Sequence, residues 1–241
     1  MKRLNAFQLK SFALMVMLMD HLYFAFSDIF PLWFHPFSRF VAPLFGYFLV
    51  EGLFHTKNKL KYNIRLFGWA IFMEVGNFVI NKVLGSKDIN INLNIFMTLA
   101  LGFTIINIFE LSKNSKGNIK LGLRILAIAL IPLGLFTEGG ISLIPFVLIT
   151  YFFRGNMKRT VIGYWILSVL LFSISYVQLD TLEMTIRMLM FNSDFLLIFV
   201  VPFIMLYNGE RGSNNKFNKY LFYVFYPLHL WLLAIIEFAL K

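Results

Sequence analysis

Along almost its whole length the chain repeats one pattern, an apolar run of roughly 15–20 residues followed by a short polar break. Runs of that length match the hydrocarbon thickness of a bilayer. Composition agrees, because 59% of the 241 residues are hydrophobic and only 14% are charged, with a mean hydropathy of +0.74. A soluble domain is nearer about 45–50% apolar and about 25% charged. In lipid every backbone polar group must be paired within the protein, and the runs lack the two-residue alternation of barrel strands, so they predict helices. The expected fold is an all-α, polytopic membrane bundle forming a single domain over 1–241.

Spans are expected at about 11–29, 39–55, 65–82, 93–111, 121–137, 140–154, 160–177, 191–207 and 220–239, nine in all within a range of roughly eight to ten. Placing the N-terminus inside puts 17 of the 22 Lys and Arg in inner segments and 5 (Arg39, Lys82, Lys87, Arg187 and Lys241) in outer ones. That asymmetry follows the positive-inside rule and predicts a cytoplasmic N-terminus and an extracytoplasmic C-terminus in a bacterial inner membrane. The start, Met1-Lys2-Arg3 and a long apolar stretch, imitates a signal peptide. It lacks a small-residue cleavage site, so it reads as a retained first span. Segment 178–190 has apolar residues at helical spacing and predicts an amphipathic helix on the outer surface. The net charge of +10 is spread between the spans, where it sets topology, and no soluble basic domain exists to hold nucleic acid.

A few polar residues fall at membrane depth, where each is costly and functional by default. Asp20 and His21 lie in the first span, with His21 roughly 15 Å from the start of that run. Helix neighbours point about 100° apart, so each should find its own partner on another helix. Arg39 opens the second span, and Glu51 and His55 share a face at its inner end. Glu74 lies mid-way along the third span, and Asn92, Asn94 and Thr98 lie in the fourth. His229 follows Pro227 in the last span, at the same depth as His21, which suggests an internal polar chamber. No cysteine is present, which excludes a thiolate nucleophile, and no spacing suggests a metal site. There is no GxGxxG, Walker A or HExxH pattern. Two inner loops, "HTKNKLKYNIR" (55–65) and "YNGERG" (207–212), combine cations with turn amides and could cradle a phosphorylated cofactor.

Several stretches in order, Asp20-His21, "RFVAPLFGYFLVEGLFHT" (39–56), "KYNIRL" (61–66), "NLNIFMTLALG" (92–102), the Gly-rich turn at 138–140, "LYNGERG" (206–212) and "KYLFYVFYPLHL" (219–230), resemble the TraX family, named for the conjugal-transfer protein that N-acetylates pilin. The chain departs from that pattern at "EVGNF" after Glu74 and at Ser38 before Arg39. The resemblance implies a membrane-embedded acetyltransferase that uses cytosolic acetyl-CoA. Its acceptor would be an amine on a pilin-like subunit or a small membrane peptide. Site residues carried over are His21, Asp20, His229, Arg39 and Glu74 for catalysis. Those expected around the cofactor are Glu51, His55, Thr56, Lys57, Arg65, Tyr207, Asn208, Gly209 and Arg211. His21 would act as base or acetyl carrier, with Arg39 or His229 on the thioester oxyanion. Three rivals remain open on the residues alone: O-acetylation of an envelope glycan or lipid, a proton-coupled transporter with Asp20, Glu51 and Glu74 as relay, and a non-catalytic pilus or conjugation assembly factor.

Overall fold

In the computed structural model residues 3–87, 89–213 and 215–240 are described, with the side chains of Ser86, Lys216 and Lys219 excepted. Lys2 and Lys241, which entered the topology count, lie outside them. Among the described residues the chain is helical throughout: α1 (Ala6–Ala25), α2 (Phe34–Ser38), α3 (Val41–His55), α4 (Lys59–Leu84), α5 (Ile95–Lys113), α6 (Gly117–Leu130), α7 (Gly140–Phe152), α8 (Met157–Ser175), α9 (Leu182–Phe191), α10 (Val200–Leu206) and α11 (Lys216–Leu240). Short 3₁₀ turns cover Gly85–Lys87, Ile131–Phe136 and Ser193–Phe199. Each expected apolar segment coincides with a helix or a helix and its 3₁₀ extension, and the expected amphipathic stretch is α9.

Among the described residues five helical stretches are long and apolar enough to cross a bilayer: Phe34–His55, Ile95–Lys113, Gly117–Phe136, Met157–Ser175 and Tyr220–Leu240. A sixth counts if α9 and Ser193–Leu206, bent by 60°, are one broken span. The chain is therefore a multi-pass membrane protein. Length and composition support five or six crossings, short of the nine expected from sequence. The shortfall has a physical reason. Helices α1 and α4 have the length, 20 and 26 residues, but carry polar groups such as Asp20, His21, Glu74 and Asn77 that lower their hydropathy. The 13 residues of α7 make only about 20 Å of helix.

The chain divides into two compact units, one of Met1–Leu44, Val75–Asn92 and Tyr164–Lys241, the other of Phe45–Glu74 and Leu93–Gly163. In the first, α1 packs on α2 and α11. A cluster of Leu84, Ile89, Ile91 and Ala234 is closed by Trp231, whose indole donates to Asn77 Oδ1 at 3.0 Å. Residues 3–7 and 206–211 are stitched together by backbone bonds, Arg3 and Leu4 to Leu206, Ala6 to Glu210, Phe7 to Arg211 and Asn208 to Leu4. Gly212 (φ 77°) fits there because a Cβ would lie 2.3 Å from Asn5 Oδ1.

In the second unit α5 packs on α6 and α7 around Leu101, Ile105, Ala127 and Ile144. The turn into α7 depends on its glycines. Gly139 sits at φ 61°, and a Cβ on Gly140 would fall 2.0 Å from the Gly134 carbonyl.

Candidate functional site

The first unit gathers four of the polar residues that the sequence singles out. Asp20 and His21, one turn before the end of α1, are both buried, at 6% and 8% exposure. As their spacing requires, they face different partners. His21 Nδ1 lies 2.6 Å from Nε2 of His229 on α11, and the two rings stack with centroids 4.8 Å apart. Asp20 instead meets Arg39 at the end of α2, where Nη2 donates to Oδ2 at 2.7 Å. Helix α11 runs unbroken through Pro227, which cannot donate to the Tyr223 carbonyl.

Two further residues complete the cluster, and sequence reasoning missed both. His35, on α2, places Nδ1 2.7 Å from Asp20 Oδ1 and Nε2 2.9 Å from the Phe191 carbonyl at the end of α9. Asp194, in the 3₁₀ turn after α9, accepts from Arg39 Nη1 at 3.2 Å. Arg39 is held further by the His35 carbonyl and Ser38 Oγ. The available signal was the i, i+4 spacing of His35 and Arg39, which puts both on one helical face. His35 stands outside the apolar runs, so depth in the membrane did not flag it. Asp194 lies three residues into the expected 191–207 span, so an acid in an apolar run was the available signal, and the structure puts it in the 3₁₀ turn just past the 60° bend.

The hydrogen-bond roles in the histidine pair follow from the acceptors around it. A carbonyl can only accept, so His229 Nδ1, 2.7 Å from the Phe225 carbonyl, carries a hydrogen. Neutral His229 then offers a bare Nε2, and His21 must donate to it from Nδ1. With both rings neutral, the lone pair of His21 is on Nε2. His229 thus fixes the tautomer of His21 as a carboxylate or carbonyl does for a catalytic imidazole elsewhere. With both of its own nitrogens engaged, His229 is an orienting ring.

The remaining expected residues are distributed differently. Glu74, in the second unit, is exposed and accepts from Asn94 Nδ2 at 3.0 Å. Glu51 receives two bonds from Arg154, at 2.8 and 3.2 Å, while the ring of His55 turns back to the Glu51 carbonyl. Those bonds push the Arg154 guanidinium above its ordinary range. Thr56 closes α3 with its amide on Gly52, and Lys57 is exposed. Arg65 lines an apolar groove of about 360 Å³ with Gly68, Trp69 and Phe72. Tyr207 pairs with Leu4, and Asn208 Oδ1 accepts from the Glu210 amide across Gly209 (φ 89°). Arg211 beside that turn is exposed. Among the described residues no group of three or more His, Cys, Asp or Glu is placed to hold a metal.

The sequence profile of one family, described as TraX protein, matches residues 6–237. This chain belongs to the TraX family. Among curated proteins, one relative is the "Probable fimbrial assembly protein FimC, serogroup H1" of Dichelobacter nodosus, 28% identical over 240 residues that cover 95% of this chain and 94% of that protein. No solved structure matches. The family match runs from the start of α1 nearly to the end of α11, so it contains every residue of the buried cluster.

Proposed function

We propose that this TraX protein is a membrane-embedded acetyltransferase of fimbrial or pilus assembly, moving acetyl from acetyl-CoA to an amine on a pilin-like subunit or small membrane peptide. The observation that carries the reading is the His229–His21 pair, which leaves a bare Nε2 on a buried ring next in sequence to the Asp20 carboxylate that Arg39 holds. In the step envisaged, the acceptor nitrogen attacks the thioester carbonyl and forms the C–N bond. His21 Nε2 takes the N–H proton, the C–S bond breaks, and the departing CoA thiolate receives that proton. With no cysteine in the chain, the acetyl group passes directly or by way of His21.

The residues at the two candidate cofactor segments suit a polyanion. Arg211 is exposed beside the Asn208–Glu210 turn, and Lys57 is exposed after α3. Glu51, with His55 and Thr56 near it, acts there by holding Arg154, whose guanidinium also lies 4.1 Å from the Phe54 ring centroid. Each unit by itself thus offers donors of the kind that bind phosphate, Arg211 with the 208–210 turn in the first and Lys57 and Arg154 in the second. The N-terminal strap and residues 206–211 lie together, whereas Lys87 Nζ donates to the Phe238 carbonyl at the far end of α11. That pairing supports an inside N-terminus and an outside C-terminus.

The decisive experiment supplies the purified protein with isotopically labelled acetyl-CoA and an acceptor peptide carrying a free α-amine. Transfer to that amine, reduced by about 10²–10⁴-fold in a folded His21→Ala variant, is the expected result. Full activity in His21→Ala would overturn the assignment. The fimbrial assembly name of the relative favours a second reading, a non-catalytic assembly factor. Under it, folded variants at His21 and His229 would assemble fimbriae normally.

A further inference from the structure

Asp20 already has a guanidinium on Oδ2, so a second donor on Oδ1 calls for a reason. His35 is that donor, and it is among the most buried polar residues of the first unit at 5% exposure. Both of its ring nitrogens are used. The Phe191 carbonyl can only accept, so Nε2 bears a hydrogen. His35 Nδ1 lies 2.7 Å from Asp20 Oδ1 and 3.2 Å from Arg39 Nη2, which can only donate. The shorter contact is with the carboxylate, and an ionised Asp20 can only accept, so Nδ1 bears a hydrogen too. The ring is also walled by Phe24, edge-on at 4.7 Å, and by Phe191 at 5.8 Å.

The second consequence concerns the bent segment. Phe191 closes α9 and Asp194 lies just past the break, so the corner of the 60° bend is held at two points. One is its backbone, through His35, and the other is its side chain, through Arg39. Both anchors come from α2 and its C-terminal residue, four positions apart. We propose that His35 is a positioning residue: donating from both ring nitrogens, it fixes the Asp20 carboxylate beside His21 and anchors the bent 182–206 segment to the site. Its effect on turnover rests on the proposed acetyl transfer, whereas its hydrogen count and its anchoring do not.

The chain has only four histidines, which makes ring-¹⁵N NMR of the full-length protein in nanodiscs assignable by single substitutions. His35 is expected to show two N–H nitrogens and His21 one bare nitrogen. A bare Nδ1 on His35, accepting from Arg39 or from a protonated Asp20, would overturn the proposal, and this measurement needs no variant of His35 to fold. Amide hydrogen exchange over 182–199 should be at least tenfold faster in His35→Ala than in wild type. It should not change in His55→Ala, whose ring is 65% exposed. Equal rates in wild type and His35→Ala would overturn the anchor. His35→Gln retains two amide hydrogens, and it should recover most of the protection while kcat falls and KM for acetyl-CoA stays constant. A wild-type protein that transfers no acetyl group would overturn the proposed function, and the NMR and exchange results would still decide the role of His35.

Discussion

Replacing Arg39 by Met keeps the length of the side chain and deletes every donor it supplies to Asp20, Asp194 and the His35 carbonyl. The effect is dominated by Asp20. That carboxylate has a side-chain exposure of 9%, against 40% for Asp194, which water can solvate once the guanidinium is gone. Removing one member of a buried pair costs about 3–5 kcal/mol because a charge is left without compensation. Here His35 stays on Oδ1, and Arg39 is itself 21% exposed, so water relieves part of the loss. The expected destabilisation is about 2–4 kcal/mol. That is on the order of a hundredfold in the unfolding constant. Asp20→Asn alone should cost about 1–3 kcal/mol, through the donors it leaves facing an uncharged amide. Because the two residues touch, the double variant should fall short of additivity by about 1–3 kcal/mol. Equilibrium unfolding in SDS-titrated mixed micelles, followed by the fluorescence of the four tryptophans, measures all three. The reasoning fails if Arg39→Met stays within about 0.5 kcal/mol of wild type, or if the two substitutions add.

His229→Phe preserves the ring volume but removes the acceptor of the His21 Nδ1 hydrogen, and the rate of acetyl transfer should drop about 10–100-fold with the fold retained, as circular dichroism would verify. Gly140→Ala forces a Cβ against the Gly134 carbonyl, and the same micelle titration should register a loss of about 1–3 kcal/mol or more. Glu51→Gln should cost only about 0.2–1 kcal/mol and should cost less in high salt, since the pair with Arg154 is partly solvated. The sign with pH follows from the raised Arg154 pKa. Its stabilisation is complete below the ordinary arginine value and would fade only as alkali titrates the folded guanidinium, so that group adds no pH dependence across the neutral range. A C-terminal fusion to alkaline phosphatase should be active in intact cells, and a fusion to a cytoplasmic fluorescent reporter should be dark.

Helix positions and the identity of several site residues were legible in the sequence because they rest on local physics. Apolar runs must be helical in lipid, and they fell on helices to within a few residues. Asp20, His21, Arg39 and His229 stood out because polar groups inside such runs are expensive, and the 100° step between neighbours already said that Asp20 and His21 need separate partners. The TraX pattern was readable for the same reason, since its short motifs carry those polar groups.

What only the tertiary structure decided is who meets whom. His21 and His229 are 208 positions apart, and Arg39 and Asp194 are 155 apart. No local periodicity encodes such pairs, because they depend on how helices pack after they have formed. His35 escaped notice because it lies between the apolar runs, in a five-residue helix, and Asp194 because it falls at the edge of the expected 191–207 span, in a 3₁₀ turn at a bend. The number of crossings was likewise open to the sequence, since polar groups that lower a helix's hydropathy are compensated only by neighbours it cannot name. The sequence by itself therefore determined a helical membrane protein with a set of costly polar residues, Asp20, His21, Arg39 and His229 among them. Long-range packing alone brought those four together with His35 and Asp194.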